Sequence, residues 1–105
     1  MDNLTVVDNP AASQFEARAD GGVVVGVLTY DAEAADGAVV VLHSVVEPAF
    51  EGQGVGGQLA SGALDLIRAS GRQVVPLCPF VSAYIQRHAQ YQDLVRLDQD
   101  QGQGG

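Results

Sequence analysis

Four glycines within six residues separate an apolar run from a stretch with helical spacing. The apolar run, residues 38–46, is typical of a central strand that is covered on both faces. After the glycine-rich segment, residues 50–57 or FEGQGVGG, apolar residues recur at helical spacing over residues 59–67, and the pattern ends at Ser70-Gly71, a favourable helix C-terminus. The chain is therefore predicted to contain a strand, a glycine loop and a helix in that order.

Shorter patterns on both sides of this unit predict the rest of the fold. Residues 4–7 are expected to form a strand that ends at the turn cluster Asp8-Asn9-Pro10, and residues 14–19 and 23–30 a hairpin joined at Asp20-Gly21-Gly22. Residues 73–77 predict a further strand. A second helix is predicted to begin at Cys78-Pro79, because proline fits a first helical turn, and residues 91–97 predict another short element.

These elements predict an α/β (α+β) fold with a mixed, mainly antiparallel sheet flanked by helices. Residues 1–97 are expected to form one domain. The tail, residues 98–105, has no apolar residue to bury and is predicted to be disordered.

The chain is acidic, with 13 carboxylate side chains against five basic ones, all arginine, and a net charge of −8. This charge disfavours nucleic acid and anionic membranes as partners. The single cysteine, Cys78, excludes an internal disulfide, and with only two histidines no metal site is predicted. The acidic N-terminal residues do not resemble a signal peptide, and no apolar run approaches the roughly 20 residues of a membrane helix, so a cytoplasmic location is expected.

A glycine loop between a strand and a helix N-terminus can bind an anion through its backbone N–H groups. A Walker loop requires a lysine, which the chain lacks, and a dinucleotide fold places its loop early in a parallel array. Two interpretations remain: a pyrophosphate loop of an acyl-coenzyme A transferase, and a flexible connection without a ligand.

The segment VVEPAFEGQGVGGQLASGAL resembles the acetyl-CoA loop of the GNAT superfamily of N-acetyltransferases, whose motif is Arg/Gln-x-x-Gly-x-Gly/Ala. Four segments over residues 4–97 are similar, in order, to a subfamily of short YjdJ-like N-acetyltransferases: FEARADGGVVVGVLTY, LHSVVEPAFEGQGVGG, VVPLCPFVSAYIQRH and YQDLV. Glu51 departs from the motif, because it stands where the superfamily has arginine or glutamine. A carboxylate there is expected to weaken pyrophosphate binding unless it turns to solvent or is neutralised by an arginine.

The resemblance implies how the chain would bind acetyl-CoA. The backbone of Val45 and Val46 would pair with the pantetheine arm as an added strand does. Arg72 and Arg87 would either contact the nucleotide phosphates or be surface charges. The backbone amides that would face the pyrophosphate are those of Gln53, Gly54, Val55, Gly56 and Gly57.

Two residues are candidates for catalysis. His43 is either a hydrogen-bonded core histidine or a base that takes a proton from an incoming amine. Cys78 is either a small buried apolar residue or a thiolate favoured by a helix N-terminus, acting as nucleophile, acyl relay or redox partner of the CoA thiol. Packing explains Tyr84 better than catalysis, and Glu47 is expected to be an exposed carboxylate rather than a base.

The resemblance implies an acetyl-CoA-dependent N-acetyltransferase that moves the acetyl group to a primary amine by direct attack. The alternatives are a non-catalytic module or sensor that binds CoA or acyl-CoA, and an interaction domain without a ligand. Residues 8–13 are too few for the helices with which GNAT enzymes usually hold the acceptor. The acceptor stays open between a polyamine, a small amine and a protein lysine, with cationic acceptors favoured by the negative charge.

Overall fold

Five strands form a mixed sheet, and two α-helices form one layer on a face of that sheet. The computed structural model describes residues 3–96; the predicted tail lies outside the described residues. The strands are β1 (Thr5–Asn9), β2 (Gln14–Arg18), β3 (Val24–Asp31), β4 (Ala38–Val46) and β5 (Gln73–Pro76), and the helices are α1 (Val55–Ala69) and α2 (Pro79–Arg87). The sheet order is β1-β2-β3-β4-β5, antiparallel except for the parallel β4–β5 pair. The predicted fold class is confirmed.

β1 is longer than its sequence pattern predicted. Asp8 and Asn9 pair with β2, and the turn begins only at Pro10, in a 3-10 turn at Pro10–Ala12. Both polar side chains have partners within the sheet: Tyr30 Oη donates to Asp8 Oδ1 at 2.6 Å, and Asn9 Nδ2 donates to Glu16 Oε2 at 2.9 Å. These partners let two turn-forming residues remain in a strand.

α1 packs very close to the sheet. A Cβ at Gly62 would lie 2.5 Å from Val6 Cβ on β1, and a Cβ at Gly26 on β3 would lie 3.2 Å from Val55 Cγ1. The glycines therefore permit a close approach of helix to strand. The residues that α1 buries are Val55, Leu59, Ala60, Ala63, Leu64 and Ile67.

α2 lies beside α1 in the same layer. A Cβ at Gly56 would be 3.1 Å from Phe80 Cζ, so the two helices meet at the first turn of α1. A 3-10 segment, Ala89–Leu94, follows α2 and also packs on α1, where Tyr91 Oη donates to Asp65 Oδ1 at 2.9 Å. This segment is the short element predicted near the end of the domain.

The opposite face of the sheet carries no helix within residues 3–96, and we call it the uncovered face. On this face, the side chains where β3 pairs with the second half of β4 are half-buried (Val27, Thr29) or exposed (His43, Val45), whereas Leu28, on the helix face, is 1% exposed. The prediction that all of residues 38–46 would be covered on both faces is wrong. Only residues 38–41 are buried, because β5 pairs with those residues alone.

In the part of the chain that the structure describes, no helix is long and apolar enough to cross a membrane.

Candidate functional site

The glycine loop leads directly into the first turn of α1. A 3-10 turn at Pro48–Phe50 follows β4, and Gly52 and Gly54 then adopt φ values of 81° and 82°. This left-handed backbone favours glycine strongly over residues with a Cβ. Gly54 is the residue that precedes the helix, and it provides no side chain to cap it.

The first backbone N–H groups of α1 therefore receive no capping bond from the residue that precedes the helix. The first backbone hydrogen bond of the helix runs from Gln58 N to Gly54 O, at 3.1 Å. The N–H groups of residues 55–57 precede it, and the first turn contains no acidic residue. Uncapped amides and the positive end of the helix dipole together favour an anion at this position.

A gap opens beside β4 at the same end of the sheet. The β4–β5 pairing ends at Val41 opposite Pro76, and the backbone N–H groups of Leu77 and Cys78 both donate to Val41 O, at 3.0 Å. β4 nevertheless continues to Val46, paired with β3 on its other edge. The second half of β4 therefore has one edge that no described strand occupies.

The register of β4 determines which backbone groups face this gap. Glu47 N donates to Val25 O at 2.9 Å, and Val45 stands opposite Val27. Because hydrogen-bonded and non-bonded pairs alternate in an antiparallel ladder, the N–H and C=O of Val45 point towards β3. Those of Ser44 and Val46 point into the gap.

Comparisons with known proteins identify the family and the fold. Residues 14–94 match the family described as GCN5-related N-acetyl-transferase. The chain belongs to this family, the GNAT family. The solution structure of a GCN5-like protein from Staphylococcus aureus has the same fold, with a TM-score of 0.65 and 22% identity over 91% of each chain. No curated protein matches the chain. Membership of the GNAT family supports acetyltransferase activity in general.

His43 of this GNAT domain lies on the uncovered face. Its side chain is exposed, opposite Thr29 on β3. The interpretation of His43 as a core histidine is therefore wrong, because the face on which it lies has no helical layer. An exposed imidazole beside the gap is open to an incoming molecule.

Cys78 lies on the helix face, on the other side of β4 from His43. Its side chain is 2% exposed, it directly precedes α2, and its Sγ donates to Ser44 Oγ at 3.6 Å. Among the described contacts, the thiol is thus paired with Ser44 and not with the histidine. The sequence analysis did not predict Ser44 as a site residue. Its position next to His43 on a strand did indicate that the two side chains point to opposite faces.

A groove of about 820 Å³ runs along the solvent side of α1 from the glycine loop. Gln53, Gly54 and Gly57 line it at the loop end, and Asp65 lines it further along the helix. Tyr84 forms a side wall, with its ring stacked on His88 at a centroid distance of 3.8 Å. Tyr84, a residue of α2, therefore faces the groove as well as packing against the core, where only core packing was expected.

The arginines differ in their distance from this loop. Arg72 Nη2 donates to the carbonyl oxygens of Ala32 and Ala38, beyond the C-terminal end of α1. The 15 residues of α1 separate that end from the loop by about 22 Å. Of the two phosphate-contact candidates, Arg72 is thus held at the far end of the helix, while Arg87 is exposed in the last turn of α2.

Glu51 is exposed to solvent at the entrance of the loop. It takes part in neither of the two ion pairs of the described residues, which join Arg18 to Glu16 and Arg68 to Asp93. Its charge is therefore reduced by solvent rather than by a neighbouring arginine, and it lies four residues before the first residue of α1.

Proposed function

We propose that this chain is an acetyl-CoA-dependent N-acetyltransferase that transfers the acetyl group to a primary amine by direct attack. The observation that carries the proposal is the combination of an uncapped, glycine-rich helix N-terminus with the open edge of β4. The helix N-terminus would bind a pyrophosphate, and the edge of β4 would bind an extended chain that contains amide groups. CoA contains both a pyrophosphate and such a chain. The resemblance to the YjdJ-like subfamily and a cytoplasmic location belong to the same proposal.

The pyrophosphate would be bound by the backbone of the loop and the first turn of α1. Gln53 and Gly54 bring the chain to the helix, and the N–H groups of Val55, Gly56 and Gly57 precede its first internal hydrogen bond. The pantetheine arm would pair with the open edge of β4 as an added strand. The register favours Ser44 and Val46 for this pairing and turns Val45, the other predicted residue, towards β3.

In the reaction, the amine nitrogen attacks the carbonyl carbon of the thioester, a C–N bond forms, and the C–S bond then breaks to release the CoA thiolate. His43 is placed to accept a proton from the amine, because it is exposed at the edge of the gap. On the helix face, Ser44 Oγ accepts a hydrogen bond from Cys78 and retains its own proton. We assign the Ser44 hydroxyl to donate a hydrogen bond to the leaving sulfur while keeping its proton, with Cys78 orienting the hydroxyl.

Ligand binding is tested first by thermal unfolding with CoA, acetyl-CoA and, as a control, inorganic pyrophosphate. Saturation at 100 times the dissociation constant is expected to stabilise the fold by about 2.7 kcal/mol. Stabilisation by neither CoA nor acetyl-CoA would exclude every proposal that places a CoA ligand on this chain. Turnover is then measured as free thiol released from acetyl-CoA in the presence of amines, with acetylated product confirmed by mass spectrometry.

A non-catalytic CoA-binding module is the second candidate. One observation favours it: among the described residues the connection between β1 and β2 is only the 3-10 turn Pro10–Ala12, so no helix there holds an acceptor. Stabilisation by acetyl-CoA without product from small amines or lysine peptides would support this candidate over the enzyme.

A further inference from the structure

We infer that the uncovered face is the docking surface for a cationic polypeptide, one lysine of which is the acetyl acceptor. This inference rests on the proposed function, since it names the acceptor class and the side from which the acceptor arrives. It would resolve the choice between a polyamine, a small amine and a protein lysine.

Two neighbouring residues of β4 lie on opposite faces of the sheet. Ser44 lies on the helix face with Cys78, whereas His43 lies on the uncovered face opposite Thr29. A thioester bound along the gap from the loop of α1 would have Ser44 on one side. An amine that reaches the same gap from the uncovered face would pass His43, the proposed base, on the opposite side of β4 from Ser44.

The uncovered face is broad around His43 and Val45. Three of the cavities formed by the described residues lie at the loop and α1, at the C-terminal end of α1, and at the turns after β1 and β3. Asp31 lines the last of these, and neither His43 nor Val45 lines any of the three. Small ligands are usually enclosed in concave pockets. The surface around His43 is instead a broad sheet face with Val45 58% exposed, which suits an extended chain that places one side chain into the gap.

The charge around His43 on this face is negative. Arg18, on β2, is bound to the 5%-exposed Glu16, with Nη2 at 2.6 Å from Oε1, so these two charges compensate each other. Strand alternation places the exposed carboxylates of Asp31 and Glu47 on the same face, on either side of His43. The uncompensated charge on β3 and β4 is therefore negative.

The same charges argue against a second copy of this chain as the occupant. Each copy has a net charge of −8, and two uncovered faces would bring Asp31 and Glu47 against their own equivalents. Like charges placed opposite each other oppose association. A polypeptide rich in arginine and lysine has the complementary charge.

Docking is tested by titrating the ¹⁵N-labelled protein with a ten-residue peptide that carries one lysine between arginines. Amide shift changes are expected at Val27, Thr29, His43 and Val45, with little change along the solvent side of α1. Changes confined to the helical layer, or no changes at millimolar peptide, would overturn the inference. So would a concentration-dependent dimer that shows the same shift changes without peptide.

Two variants of opposite charge at one exposed position, Val45, test the acceptor role. Val45→Arg is expected to raise the KM for the peptide about fivefold, and Val45→Glu to lower it, while the KM for acetyl-CoA stays unchanged. Asp36→Arg, in the exposed β3–β4 loop, is the control for overall charge. Equal effects of the Val45 and Asp36 variants would contradict docking at this face.

These measurements separate the inference from the proposed function. Peptide binding at the uncovered face without acetyl transfer to any amine would contradict the enzyme and the acceptor role. Efficient transfer to small amines, with a peptide that neither binds nor reacts, would leave the enzyme standing and overturn the docking surface.

Discussion

The thiol of Cys78 lies 3.6 Å from the hydroxyl of Ser44, across the gap where β5 separates from β4. The contact joins the start of α2 to the open strand edge. It also places a hydroxyl and a thiol on one side of β4 while His43 occupies the other side. The two residues proposed for catalysis from the sequence therefore lie on opposite faces.

Ser44→Ala is expected to lower kcat about tenfold, because a hydrogen bond to the leaving sulfur is removed. The free energy of unfolding should fall by only about 1 kcal/mol, as expected for one hydrogen bond. Cys78→Ala should reduce kcat less than Ser44→Ala does. An acetylated Cys78 found by mass spectrometry during turnover would contradict direct transfer.

His43→Ala is expected to lower kcat by about 100-fold, since a general base typically contributes at least that much. Because the side chain is exposed, the free energy of unfolding should change by less than about 0.5 kcal/mol. Thr29→Ala, at the paired position on β3, is the matched control for the surface. Equal kcat values for the two variants would remove His43 from the mechanism.

Gly54→Ala and Gly71→Ala replace two glycines with φ values of 82° and 78°, at opposite ends of α1. Each is expected to destabilise the fold by about 1 kcal/mol, because alanine is strained in the left-handed region. Only Gly54→Ala should also weaken acetyl-CoA binding, measured by calorimetry. Similar affinities in both variants would show that the loop does not bind the ligand.

Glu51→Gln removes the negative charge beside the loop and introduces a residue type found in the family motif. Acetyl-CoA affinity is expected to rise about threefold at low salt, and less at 1 M salt, because the charge is exposed and screened. Glu33→Gln, in the exposed β3–β4 connection, is the control. A loss of affinity in Glu51→Gln would mean that the carboxylate helps to form the site.

Glu16 makes the fold sensitive to acid. Hydrogen bonds from Asn9, Gln14 and Arg18 lower the pKa of Glu16 from 4.5 to about 2, against the opposing effect of burial. Because the folded-state pKa is the lower one, this stabilisation is present above pH 4.5 and is lost as the pH falls towards 2. Glu16→Gln should be less stable at pH 7 by about 1–3 kcal/mol, and unfolding by urea should show the difference shrinking below pH 4.

Much of this fold could be predicted because its signals are local. Alternating residues indicated β2, β-branched residues after a glycine turn indicated β3, and helical spacing indicated α1. Gly71, with its φ of 78°, does follow the end of that helix. The burial of β4 could not be predicted, because a run of valines does not indicate at which residue the neighbouring strand, β5, ends. The exposure of His43 and the partnership of Ser44 with Cys78 both depend on that end point.

The approach of Gly62 to Val6 constrains these two positions jointly. A Cβ at residue 62 would lie 2.5 Å from Val6 Cγ2, so alanine can appear there only if residue 6 becomes smaller. In an alignment of homologues the two positions are expected to vary together, with their combined volume kept nearly constant. The lineage of this protein can therefore enlarge residue 62 only after residue 6 has become smaller.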